Sequence, residues 1–240
     1  MFPYDPQLAS AVQAIPQTVS DVLQTLQKID AICIEGDGLK WFNGLYYQVT
    51  QAVETRIESG GFSDPAWLAK LDVEFATLYF SALHAYLAGG DCSGCWRALF
   101  SVRGDQRIAR IQFALAGVNA HINHDLPEAL VSTCTITRTV PRHGTAQYND
   151  YTALNTTLNG LIDAAKRTLH VRLLGAALPP VSRLEDTLAA FGTSAAREQA
   201  WTNSEALWHL RDVASLAAGY LRSLDGLTTF ANKALLVPVP

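Results

Sequence analysis

The sequence predicts an all-α protein, a single-domain bundle of about seven to nine helices with one short extended arm. Three observations support this prediction. Apolar residues recur at intervals of three and four along most of the chain, which is the period of a helix with one buried face. Gly and Pro interrupt this pattern where helices are expected to end. Only one short stretch is rich in Thr, Val and Ile, the residues typical of strands.

The composition limits the class of protein. Of the 240 residues, 49% are hydrophobic and 17% are charged, which excludes a disordered chain. A net charge of −4 argues against a protein that binds nucleic acid through its phosphate backbone. Because no linker, repeat or shift in composition divides the chain, we interpret residues 1–240 as one domain. Pro179-Pro180 is the point at which a division is most plausible.

The first residues lack the basic and continuously apolar segments of a signal peptide. No stretch approaches the ~18 apolar residues that a membrane-spanning helix needs. We therefore expect a cytoplasmic protein without a membrane span.

Each predicted element is bounded by a capping residue, Gly or Pro. Helices are predicted over 16–30, 37–59 and 65–89, followed by a loop that carries Cys92 and Cys95. The remaining elements are a helix over 105–125 that stops before Pro127, the extended arm over 133–140, a helix over 147–173, a short helix between Pro179-Pro180 and Phe191, and a long helix over 193–224.

The helix over 105–125 carries the strongest candidate site. From Ile108 to Ile122 its only charged side chain is Arg110, so the helix is expected to be covered on most sides. His121 and Asp125 are four residues apart and therefore share one face, where they are able to bind one ion or each other. His124 is a further candidate acid or base. A buried polar group is costly without a partner, so a pair on such a helix calls for a role.

Other polar residues fall on or beside apolar faces. Asp72 lies among apolar residues of its helix, Asp150 begins an apolar stripe, and both are candidate ligands of a metal shared with His121 and Asp125. We expect the substrate to contact a further set of aromatic and polar residues: Trp41, Tyr46, Tyr79, Arg103, Asn155, Trp208 and His209.

The four cysteines include Cys92-Ser-Gly-Cys95, whose spacing suits a redox pair or half of a zinc site. A complete structural zinc site needs two more ligands, and the sequence has no second C-x2-C and no H-x3-H. Reduced thiols in a loop near solvent are therefore the favoured interpretation.

The segment Ala120-His121-Ile-Asn-His124-Asp125-Leu126-Pro127 resembles the helical metal-ligand motif of the zinc-dependent phospholipase C and fungal single-strand nuclease superfamily. The resemblance implies an all-α fold in which the H-x3-D pair, here His121 and Asp125, binds metal. The segments GDGLKWFNGLYYQVT, LDVEFATLYF and NAHINHDLP, with a final helix that contains AW and LW, also look like those of a bacterial family of unknown function, which implies no activity.

Two functions follow as hypotheses. The first is a small-molecule enzyme whose site lies between helices. Its favoured form is a hydrolase that uses Zn, Fe or Mn, and its alternative form is a metal-free acid–base cyclase or isomerase that acts on an apolar metabolite. The second is a non-catalytic binding or scaffold protein. A small-molecule ligand is the expected partner, together with a second copy of the chain in a homodimer.

Overall fold

The computed structural model of the protein describes residues 2–174 and 192–238, and every regular element in these ranges is helical. The helices are α1 (Asp5–Ala11), α2 (Val19–Ile32), α3 (Gly38–Glu58), α4 (Pro65–Leu87), α5 (Gly94–Val102), α6 (Arg110–Ala120), a π segment (His121–Asp125), α7 (Leu126–Thr137), α8 (Ala146–Ala153), α9 (Asn155–Leu174), α10 (Thr193–Leu210) and α11 (Ala214–Leu235).

Several of these helices are continuous with one another. The π segment joins α6 to α7, and only Leu154 separates α8 from α9. When each continuous run is counted as one helix, the described residues form nine helices. This count confirms the predicted all-α bundle of seven to nine helices. None of the helices in these ranges is both long and apolar enough to cross a membrane.

Side chains at the predicted starts cap the early helices. Thr18 accepts a hydrogen bond from the N–H of Asp21, and Asp64 accepts one from the N–H of Trp67. Pro65 occupies the first position of α4, where the missing N–H costs nothing. Local chemistry therefore sets these boundaries, which is why α2, α3 and α4 begin close to their predicted positions.

The extended arm predicted over 133–140 is wrong for its first half. Thr133–Thr137 belong to α7, and the chain leaves the helix only at Arg138, which adopts a left-handed conformation with φ of 57°. Thr133 and Cys134 are fully buried, on a helix that packs against α4 and α10. Burial of this face outweighs the strand preference of Thr, Val and Ile.

The predicted stop before Pro127 is also wrong. In the π segment the N–H of Leu126 donates to the carbonyl of His121, five residues earlier, and α7 then begins with Pro127 in its first turn. A proline is tolerated there because an N–H at that position is not needed for the helix. The π segment thus allows one rod to continue through a residue that ordinarily ends it.

Three further boundaries differ from the prediction. The loop predicted around Cys95 contains α5, the helix predicted over 147–173 is interrupted at Leu154, and the last helix is divided between α10 and α11. Pro179-Pro180 and the short helix predicted before Phe191 lie outside the described residues.

Helix α6 runs through the centre of the core. Every residue from Ile111 to Ala120 is buried, and α6 packs against α3 and α11. The contact with α3 depends on Gly117, because a Cβ there would lie 2.2 Å from Cγ of Phe42. Two helix backbones approach this closely only where one side chain is missing.

We expect Gly117→Ala to destabilise the protein by about 1–3 kcal/mol, because the added methyl group forces Phe42 or α3 to move. Gly44→Ala, on α3 itself, is the matched control, since a Cβ at Gly44 meets no atom within 4 Å. That control should be neutral or stabilising by up to ~1 kcal/mol. Urea denaturation of both variants measures the difference, and equal midpoints would contradict the proposed close contact.

Candidate functional site

The π segment builds the candidate site around the carboxylate of Asp125, which is 2% exposed. The Trp96 indole donates to Oδ2 at 2.9 Å, and Nδ1 of His121 lies 2.9 Å from the same oxygen. Nδ1 of His124 lies 2.7 Å from Oδ1. The carboxylate thus joins two imidazoles, one on each of its oxygens. π segments occur often at functional sites, and this one coincides with the predicted H-x3-D pair.

The protonation states of this cluster follow from its geometry. Burial alone would raise the pKa of Asp125, but the hydrogen bonds from His121 and His124 outweigh burial and lower it, so the carboxylate is ionised near neutral pH. An ionised carboxylate only accepts hydrogen bonds, so Nδ1 of each histidine is the donor. In neutral His121 the lone pair is therefore on Nε2.

The two histidines respond differently to their surroundings. Burial lowers the pKa of His121, and the opposing effect of Asp125 does not compensate. For His124, which is 14% exposed, the hydrogen bond to Asp125 outweighs burial and raises the pKa. His121 is thus held as a neutral base, whereas His124 protonates more readily.

Aromatic rings enclose His121. The Phe75 ring stacks on the imidazole with a centroid separation of 3.4 Å and an angle of 8° between the ring planes. The Tyr46 ring lies nearly perpendicular to it at 4.6 Å. Three more rings lie within about 6 Å of it: those of Phe42, Tyr79 and Trp96. The imidazole is therefore fixed in orientation as well as in tautomer.

Two adjoining cavities lie beside this cluster. Asp72 lines the first cavity and His121 lines the second. Five residues line both cavities: Tyr46, Val49, Phe75, Leu158 and Arg197. The remaining lining residues are mostly aliphatic. Both linings are largely apolar with a few polar groups, which is the character of small-molecule sites.

Three of the polar lining residues have an unpartnered buried atom. Nε2 of His121, the hydroxyl of Tyr46 and Oδ2 of Asp72 make no hydrogen bond to any residue that the structure describes. Buried polar atoms are nearly always hydrogen-bonded, so such atoms around a cavity indicate a ligand or bound water.

Asp72 is the most strongly perturbed of these groups. Its burial, followed by repulsion from Glu54, raises the pKa to about 7. The carboxyl group is therefore able to give or take a proton near neutral pH, as acid–base catalysis requires.

Arg197 supplies a positive charge to both cavities. Its side chain is 6% exposed, its Nε donates to the amide oxygen of Asn155 at 2.8 Å, and its Nη2 donates to the carbonyl of Tyr151 at 2.9 Å. Within residues 2–174 and 192–238, no carboxylate lies within ion-pair distance of this guanidinium. A buried cation whose partners among the described residues are neutral favours an anion in the adjoining space.

The structure brings together four of the predicted site residues, namely His121, Asp125, Tyr46 and Asp72. Asn155 reaches the site indirectly, through Arg197. Asp150 lies elsewhere, because its carboxylate accepts hydrogen bonds from the backbone N–H groups of Ser63 and Asp64 and so fixes the start of α4. The expected convergence of His121, Asp125, Asp72 and Asp150 on one ion is not found among the described residues.

Arg103 and Trp41, which were expected to contact the substrate, do not line the two cavities. Arg103 is 4% exposed and forms ion pairs with Asp5 and Asp37, which connect α1 to the start of α3. Trp41 lies under the guanidinium of Arg110 at 4.3 Å and lines a different pocket. These pairs hold both residues near the start of α3.

Tyr79, Trp208 and His209 are also not among the residues that line the two cavities. Tyr79 is fully buried behind Phe42, Trp208 is covered by the guanidinium of Arg211 at 3.8 Å, and His209 is exposed. His124, the third predicted catalytic residue, lies on the other oxygen of Asp125 and is likewise absent from the cavity lining.

Arg197 and Phe75 were missed by sequence reasoning. Arg197 is spaced by three and four residues from Ala200, Trp201 and Ser204, all of which are buried, and this spacing signals that it lies on the buried face of α10. No comparable signal distinguishes Phe75 from an ordinary core residue.

The described residues contain one group of three potential metal ligands within 4.8 Å of one another, formed by Cys95, His124 and Asp225. Cys95 is fully buried in α5, so the expectation of a loop thiol near solvent is wrong for this residue.

Comparison with known proteins identifies the family. A model described as "Family of unknown function (DUF5995)" matches residues 19–238, and the chain belongs to this family. No curated protein and no solved structure matches the chain. The comparisons thus give no support to the resemblance of the His121–Asp125 segment to phospholipase C and single-strand nucleases.

We expect Asp72→Asn to stabilise the protein above neutral pH. The folded-state pKa of about 7 exceeds the ordinary value of 3.8, so the folded protein binds the extra proton and loses stability as the pH rises between these values. Tyr46, Arg197 and His121 line the adjoining space and are unchanged in this variant.

Urea denaturation at about pH 4 and about pH 8 checks this expectation, with a stabilisation of up to a few kcal/mol at the higher pH and almost none at the lower. Asp212→Asn, whose side chain is 82% exposed, is the control and should show no such pH dependence. A variant less stable than the wild type at about pH 8 would show that Asp72 has a stabilising partner in the fold.

Proposed function

We propose that this member of the DUF5995 family is a small-molecule enzyme that moves protons on an apolar, anionic substrate held in the two cavities. The observation that carries the proposal is the set of three unpartnered buried atoms, on His121, Tyr46 and Asp72, around one apolar space. Each such atom costs about 1–3 kcal/mol when it is left without a partner, so three of them around adjoining apolar cavities favour a bound ligand.

His121, Asp125, Asp72 and Tyr46 have different roles in the proposed proton transfer. Nε2 of His121 is the base that removes a proton from the substrate, and Asp125 orients the imidazole and stabilises the cation that forms. Asp72 or the Tyr46 hydroxyl returns a proton at a second position. A proton removed at one atom and returned at another gives an isomerisation or a cyclisation, with no net oxidation.

The geometry favours the metal-free form of the enzyme over a metal bound by His121 and Asp125 together. Both oxygens of Asp125 already accept hydrogen bonds, and Nδ1 of His121 is one of the donors. A metal shared by this pair would have to displace the bond that holds the imidazole.

A binding protein without catalysis is the second candidate, because the same apolar cavities and Arg197 suit a carrier of small anions. The two functions differ in whether the ligand exchanges protons. Phenylpyruvate is a suitable probe, since it joins an aromatic ring to a carboxylate and carries acidic protons next to a ketone.

We expect wild-type protein to bind phenylpyruvate more tightly than its neutral methyl ester, and to exchange the acidic protons for deuterium faster than buffer alone. His121→Gln should lower the catalysed exchange by about 100-fold or more, because it removes the general base, while binding is retained. Nuclear magnetic resonance in D2O measures both binding and exchange.

His209→Gln is the matched control, since this histidine is exposed and distant from the cavity lining. Binding without any catalysed exchange in the wild type would favour the carrier. Exchange that persists in His121→Gln at the wild-type rate would refute the assigned base.

A further inference from the structure

A second cluster lies on the other side of Asp125 and has no part in the proposed function. It consists of the Cys95 thiol, the His124 imidazole and the Asp225 carboxylate, whose potential ligand atoms all lie within 4.8 Å of one another. The three residues come from α5, the π segment and α11, which are far apart in the sequence.

We propose that Cys95, His124 and Asp225 bind a zinc ion. A thiolate, an imidazole nitrogen and a carboxylate oxygen are the three ligand types that zinc takes in proteins, at 2.0–2.3 Å each. Ligand atoms that surround one ion at such distances lie about 3–4 Å apart, so a separation of up to 4.8 Å requires only small side-chain rotations to close.

The tautomer of His124 suits this role. Its Nδ1 donates to Asp125, so in the neutral imidazole Nε2 carries the lone pair that a metal needs. Metal-bound histidines usually donate their other ring N–H to a carboxylate or carbonyl, because this bond fixes the tautomer and strengthens the ligand. Asp125 is itself held by the indole of Trp96, the residue after Cys95.

Asp225 is already placed at this point by the chain. Its two oxygens accept hydrogen bonds from the backbone N–H groups of Gly94 and Cys95 at 2.8 and 2.9 Å. Gly94 allows this approach, since a Cβ there would lie 2.6 Å from the Thr229 hydroxyl and 3.2 Å from Oδ2 of Asp225. Oδ1 also accepts a bond from the Thr229 hydroxyl at 3.3 Å, whereas Oδ2 retains a lone pair for a metal.

The cluster uses only the second cysteine of the Cys92-Ser-Gly-Cys95 motif. Sequence spacing left the motif as half of a zinc site, because the other ligands do not form a second short motif. The fold supplies them from two distant helices. Cys95 and Asp225 provide anionic ligands, while His124 and Asp225 are only partly buried, so a water molecule is able to complete the four-coordinate sphere.

Zinc content and cobalt spectroscopy test the proposal. After reconstitution with Zn²⁺ and dialysis, mass spectrometry of untagged wild-type protein should find about one zinc per chain, as a single site of this type requires. Co²⁺ in place of zinc should give the near-ultraviolet band of a cobalt–thiolate bond. Cys95→Ser should lose that band, and His124→Gln should lower the Co²⁺ affinity by about tenfold or more.

Cys134→Ala is the control for a buried thiol outside the cluster, and it should retain both the zinc and the band. Circular dichroism shows whether each variant is folded, and His124→Gln keeps the test informative if Cys95→Ser fails to fold. Wild-type protein without zinc and without the cobalt band, or a band that is lost in Cys134→Ala and kept in Cys95→Ser, would overturn the proposal. Neither result bears on proton exchange in the cavities.

Discussion

The candidate site depends on the hydrogen bonds that the buried carboxylate of Asp125 accepts. Buried ions are stable only when hydrogen bonds replace the lost water, and here an indole and two imidazoles do so. The two oxygens of Asp125 hold the two histidines in different directions. Because one oxygen holds His121 toward the apolar cavity and the other holds His124 toward α5 and α11, a single charge fixes the tautomers of two histidines that face different environments.

This arrangement couples the two sides of the π segment. A cation bound at His124 would draw electron density from Asp125, and the hydrogen bond to His121 would weaken as a result. Linkage requires the reverse effect as well, so that protonation of His121 alters the affinity for a cation at His124. If His121 is the base proposed for the cavity, its basicity would thereby respond to a cation at His124.

The helix faces that carry the site residues could be predicted from the sequence, whereas the contacts between distant helices could not. Helical periodicity placed His121, Asp125 and Asp72 on buried faces, since side-chain direction depends only on position along a helix. Asp150 was misassigned because an acid at the start of a helix looks the same whether it binds a metal or, as here, the backbone of another helix. Arg103 pairs with Asp5 and Asp37, and Trp41 with Arg110, as a result of tertiary packing that spacing does not encode.

The π segment also determines what lies beyond it. One additional residue in a helical turn rotates every later side chain by about 100° around the axis. The face of α7 that contains Leu130 and Cys134 is buried only with that rotation in place. Loss of a single residue between His121 and Asp125 would therefore turn this apolar face away from α4 and α10. The same π segment thus fixes both the geometry of the site and the packing of α7 in the bundle.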